Sequence, residues 1–74
     1  MKEYIVIEIQ SYDSGDVGTL VSAYEDYWDA EQKYHTVLAA AAKSALPIHT
    51  AVIMNPSGVV IEKVCFNRKL RGGE

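Results

Sequence analysis

Seventy-four residues with a formal net charge of −3, ten acidic side chains against seven basic ones and a single cysteine leave room for one domain. They exclude an internal disulfide, a cysteine-based zinc site and a broadly basic nucleic-acid surface, because phosphate recognition needs an excess of cation that this chain lacks. A chain this short buries only about 60% of its unfolded surface, so its core is marginal unless a partner adds to it.

The run Met1-Lys2-Glu3-Tyr4-Ile5-Val6-Ile7-Glu8 places acids inside an apolar stretch, which does not read as a secretory leader. Nothing approaches the ~20 apolar residues of a membrane span. Together with one unpaired thiol, Cys65, in strand-like sequence, this sets the expectation of a cytoplasmic protein with no membrane contact.

The first strand is expected from Glu3 to Tyr12. Ile5, Ile7 and Ile9 share one face, and Tyr4, Val6, Glu8 and Gln10 share the other. On apolar content, the isoleucine face is the expected core face. Asp13-Ser14-Gly15-Asp16 reads as a turn, with Gly15 and Gly18 both free to take positive φ. A second strand follows from Gly18 to Glu25, in which neither alternating set is decisively apolar.

Asp26 is the expected N-cap of a helix, with Asp29 at the capping-box position. Asp29 and Glu31 complement the positive end of the helix dipole, and Lys43 the negative end. Pro47 disfavours helical geometry at Leu46, so the helix should end near Ala45. At 100° per residue, Ala30, Tyr34, Val37, Leu38, Ala41 and Ala45 form one apolar stripe for the sheet.

A second hairpin is expected from Ile48 to about Asn67. Its loop, Asn55-Pro56-Ser57-Gly58, suits a type I turn. The fold class is therefore α+β: a β-hairpin, an α-helix and a β-hairpin, giving a four-stranded antiparallel sheet with the helix packed on one face. The domain spans 1–67, and residues 68–74, with Arg68, Lys69 and Arg71, form a short basic tail.

One helix covers one face of a sheet. The other face, expected to carry Tyr4 and Val6, becomes the candidate oligomer interface, since a large exposed apolar patch marks a contact surface. A second candidate is a semi-apolar strip along the helix, formed by Trp28, Gln32, His35 and Ala39. An indole face beside an amide and an imidazole suits either a subunit contact or a planar, nucleotide-like ligand.

No chemistry-bearing constellation accompanies these surfaces. His35 and His49 lack metal-ligand spacing, the acids Glu25, Asp26, Asp29 and Glu31 are accounted for by helix capping, and no serine sits in a nucleophile context. The expectation is a non-enzymatic protein without cofactor or metal.

The segment Tyr24-Glu25-Asp26-Tyr27-Trp28-Asp29-Ala30-Glu31-Gln32-Lys33-Tyr34-His35, the run Leu38 to Ala42, and Ile48-His49-Thr50-Ala51-Val52 resemble a group of small, uncharacterised proteins encoded by bacterial phages and prophages. The resemblance covers the chain roughly from Tyr4 to Phe66. It lies in the whole strand-strand-helix-strand-strand pattern and carries no catalytic motif. It implies a viral or prophage setting and work by binding in the host cytoplasm, as an accessory or inhibitor that engages a host macromolecule; the open apolar face adds the expectation of a homo-oligomer. The alternative it implies is a sponge that sequesters a nucleotide-like signalling ligand near the helix at a subunit interface.

Overall fold

The structure is a computed structural model, and it describes residues 1–68. Its elements follow one another as β1 (Tyr4–Ser11), β2 (Val17–Tyr24), α1 (Tyr27–Lys43), β3 (Ile48–Met54) and β4 (Val60–Asn67). The strands form one antiparallel sheet in the order β2-β1-β3-β4, which confirms the α+β class, with α1 as the one helical element among the described residues.

Both hairpin turns have a local cause. Gly15 takes φ +94° and donates its N–H to the Tyr12 carbonyl at 3.0 Å, closing the first turn. In the second, the Gly58 N–H donates to the Asn55 carbonyl, and Asn55 Oδ1 accepts from the N–H groups of Ser57 and Val59, each at 3.0 Å. Gly58 has φ +91°, a region that side-chain-bearing residues rarely enter. Gly18 does not use positive φ. It lies within β2 opposite Gln10, and a Cβ there would sit 3.4 Å from the Tyr12 hydroxyl, so its role is to let that ring lie close.

The helix opens where expected. Asp26 is extended, with φ −102° and ψ 130°, and its carboxylate accepts from the Trp28 N–H at 2.7 Å. The helix closes at Lys43, one turn's width short of Pro47, with the Ser44 N–H donating to the Ala41 carbonyl and Ser44 Oγ accepting from the Leu46 N–H. Ala45 therefore leaves the predicted stripe and is exposed. Arg68 supplies a further cap. Its guanidinium donates to the carbonyls of Ala41, Ala42 and Leu46, so the first residue of the expected basic tail is tied to the helix end. Residues 69–74 of that tail lie outside the described residues.

The core corrects the sequence reading. Val6, Ala30, Tyr34, Val37, Ala51 and Ile53 form the buried cluster, with Tyr4, Tyr24, Tyr27 and Leu38 packed against it. The helix thus covers the face of β1 that carries Tyr4, Val6, Glu8 and Gln10, and Ile5, Ile7 and Ile9 face away from it. Chain order gives the physical reason. β1 pairs antiparallel with both β2 and β3, so β2 and β3 run parallel and α1 is the crossover between them. Such crossovers are right-handed in about 98% of cases, which assigns the helix to one face whatever the apolar content of the other. The alanines of the stripe then let the helix backbone approach Val6 and Ala51 closely.

Candidate functional site

The face away from the helix can be built strand by strand from the register. Directly paired residues share a face. Ile5 pairs with Ala23 and Met54, Ile7 with Val21 and Val52, Ile9 with Thr19 and Thr50, and Ser11 with Val17 and Ile48. On the outer side of β3, Val52 pairs with Lys63, Thr50 with Cys65 and Ile48 with Asn67. The result is an almost continuous apolar surface in which Lys63 is the single charge among these paired residues. Val21 is 65% exposed and Val17 63%, while the isoleucines are half-shielded by their neighbours in the sheet.

The sequence reading expected an open apolar face, and the structure has one made of different residues. Tyr4 and Val6, the candidates for it, lie under the helix, where Val6 is 2% exposed. The residues that sequence reasoning gave to the core, Ile5, Ile7 and Ile9, occupy the open face with Val21, Val52 and Met54. The signal was present in the alternation, but the assignment of faces depends on the crossover.

The helix-covered face is the more polar of the two. His49 is 3% exposed, and its Nε2 lies 2.6 Å from Glu8 Oε2, with the carboxylate as acceptor. Gln10 Nε2 donates to the same carboxylate oxygen at 3.0 Å, and the Tyr12 hydroxyl donates to Gln10 Oε1 at 2.9 Å. His49 Nδ1 has no hydrogen-bond partner among the described residues. This Tyr12–Gln10–Glu8–His49 chain satisfies polar groups that burial would otherwise penalise. Sequence reasoning treated His49 singly and missed its partner 41 positions earlier, because only the β1–β3 pairing brings them together.

The helix strip divides into two. Trp28 is 74% exposed, and its ring stands edge-on to Tyr27 at 5.2 Å, which in turn meets Tyr4 at 5.4 Å. His35 is exposed, with Nε2 2.7 Å from Glu31 Oε1. The Glu31 carboxylate beside it pushes the Tyr27 phenol up to about 12, and the phenol is in turn the first cause holding the Glu31 carboxyl below its ordinary value. Burial raises the Tyr34 phenol, with the charges of Glu62 and Glu31 adding to the effect. Gln32 belongs elsewhere: it lines a shallow cleft of about 310 Å³ with Tyr24, Asp29, Lys33 and Thr36. Ala39 is an exposed surface position further along the helix. The four residues therefore do not enclose one volume. A larger open cleft of about 430 Å³, lined by Met1 to Tyr4, Asn55 to Ser57 and Ile61, contains none of them.

Among the described residues no group of three or more histidine, cysteine, aspartate or glutamate side chains could hold a metal ion. No helix among them is long and apolar enough to cross a membrane. Comparison with known proteins finds no matching family model, no matching curated protein and no matching solved structure.

Proposed function

We propose that this chain is a non-enzymatic binding protein that works as a homodimer, two copies packing their open sheet faces together, and that it serves as a phage-type accessory or inhibitor engaging a host macromolecule. The observation that carries the assembly is the open face itself. Ile5, Ile7, Ile9, Val17, Val21, Ile48, Val52 and Met54 share one uncovered surface with a single charge among its paired residues, whereas the buried core is small and three of its seven apolar members are alanines. Exposed apolar surface of that extent on a small chain marks an interface.

A second copy is the occupant that this face fits. Four strands about 4.8 Å apart and about eight residues long at about 3.3 Å per residue present roughly 500 Å² of sheet plane. Two copies together would cover about 1,000 Å², the lower bound for a specific interface. A two-fold contact presents the same patch from both copies, which a face with Lys63 as the one charge among its paired residues tolerates better than a heavily charged one. Packed sheets of this kind keep about 10 Å between them with interleaved side chains. The helices then face outward on both sides, free for a partner, and the phage-like pattern of the chain supports a host macromolecule as that partner.

The Glu8–His49 pair, with side chains 14% and 4% exposed, offers little surface to a substrate, which supports binding over catalysis. The assembly is tested by Ile7→Lys, which places a charge in the middle of the open face. The variant is expected to keep its far-ultraviolet circular dichroism and to sediment as a single chain where the native protein sediments as two. An unchanged sedimentation coefficient would remove the proposed interface.

A further inference from the structure

We infer that the free edge of β2 is a docking site for an extended segment of a partner protein, uncharged and β-forming in its middle and flanked by lysine or arginine, which adds to the sheet as a fifth strand. An edge strand presents unpaired N–H and C=O groups along its outer side, and proteins blunt such edges with charges, proline or bulges. The two edges of this sheet differ in that respect. β4 carries Glu62 and Lys63 and shifts register against β3 between Ile53 and Met54. β2 carries neither charge nor proline over its eight residues, pairs with β1 along its whole length without a register shift, and exposes Leu20 on the helix side.

A second feature lies beside the same edge. The cleft of about 310 Å³ is walled by Tyr24 from β2 and by Asp29, Gln32, Lys33 and Thr36 from α1. Side chains of an added strand would alternate between the two faces of the sheet. Those on the helix side enter the space beside α1. Strand addition takes its affinity from main-chain hydrogen bonds and its specificity from pockets for alternate side chains, and both parts are present here.

Charge decides the occupant. Asp13 and Asp16 precede β2, and Glu25 and Asp26 follow it. A second copy of β2 added antiparallel about the strand centre would set Asp16 opposite Glu25 at both ends, and like charges directly opposite are destabilising. A segment with cations at its ends meets attraction at both. Glu25 already contacts the Met1 ammonium at 2.8 Å, but both groups are well exposed, so that pair is weak and exchangeable. This inference rests on reading the chain as a binding protein. It uses the sheet edge and not the open face, so loss of the dimer appears in solution mass while loss of this site appears only in peptide binding.

The test uses a labelled peptide of alternating valine and threonine with two lysines at each end, beside a control with glutamates in place of the lysines. Fluorescence anisotropy is expected to show the basic-flanked peptide binding at least about tenfold more tightly, the effect of a few favourable charge contacts against unfavourable ones. Amide exchange should slow in β2 and not in β4 when it binds. Reversing the flanks together, Asp16→Lys with Glu25→Lys, is expected to swap the preference to the acidic-flanked peptide. Both positions are exposed, and circular dichroism checks that the fold is kept. Absence of binding at millimolar peptide, protection of β4 in place of β2, or a preference that survives the reversal would each overturn the proposal. So would a native protein whose β2 amides are already protected in a four-chain assembly, which would give the edge to a second copy.

Discussion

The two faces of this one sheet reverse the usual arrangement of apolar and polar residues. The face under the helix holds Val6, Ala51 and Ile53, but also Glu8, Gln10 and His49. The face without a helix holds Ile5, Ile7, Ile9, Val21, Val52 and Met54, and of its paired residues only Lys63 is charged. If apolar content alone chose the covered side, the helix would lie on the isoleucines. The difference teaches that connectivity places the first layer and that apolar surplus then calls for a second. The covered face is completed by a polar chain, and the open face, on the reading proposed above, by a second copy.

The sharpest way to break this comparison is to put the same charge on neighbouring residues of β1. Val6→Lys buries an ammonium under the helix, an unpaired-charge cost of several kcal/mol in a marginal core, and is expected to unfold the chain. Ile7→Lys points the other way and is expected to leave a folded monomer. Urea denaturation followed by circular dichroism separates the two outcomes. Equal loss of structure in both variants would mean that the faces are not distinct in the way described.

A smaller effect is expected at the polar end of the covered face. Glu8→Ala leaves His49 buried without its carboxylate and Gln10 without its acceptor, and should cost about 2 kcal/mol in denaturant unfolding, with dimerisation unchanged once the chain is folded. A variant as stable as the native chain would make the Glu8–His49 contact incidental.

Smaller again is the helix cap. Asp26→Ala removes the acceptor of the Trp28 N–H and should cost about 1 kcal/mol. No loss in the melting temperature would shift the start of the helix away from Asp26.

The smallest effect is spectroscopic. The Tyr27 phenol should ionise late, at about pH 12, because the neighbouring Glu31 carboxylate opposes a second negative charge beside it. Its folded value lies above the unfolded one of 10.0, so the stabilisation is complete below pH 10 and is lost as pH rises through about 12. Glu31 runs the other way. Its value is lowered from 4.5, so its contribution is present above that pH and is lost as pH falls below it. Ultraviolet titration of Tyr27→Phe should lack a late-ionising component near pH 12, and an unchanged curve would separate Tyr27 from Glu31.

Much of the fold was legible because its signals are local. Asp26 before a run with helical spacing, Gly15 and Asn55-Pro56-Ser57-Gly58 at the turns, and Pro47 after the helix each act within a few residues. What was not legible depends on pairing across the chain. Which face of β1 meets the helix follows from β1 lying between β2 and β3, and that order is not written in the alternation of Tyr4 to Ser11. Tyr4 and Val6 were assigned to the open side for that reason. The strip of Trp28, Gln32, His35 and Ala39 lies on the exposed surface of the helix. Its separation into an aromatic flank toward Tyr4 and a cleft toward Tyr24 needed the strands on either side. Glu8 and His49 stand far apart in the chain, and their contact forms only when β1 and β3 pair.

The claim that a second copy covers the open face is tested most directly by the solution mass of the native protein. Light scattering across a dilution series at micromolar concentration should give about 16 kDa, twice the 8.2 kDa of one chain, falling toward the single-chain value only on strong dilution. A mass of 8.2 kDa at every concentration, with the sheet intact by circular dichroism, would contradict the account.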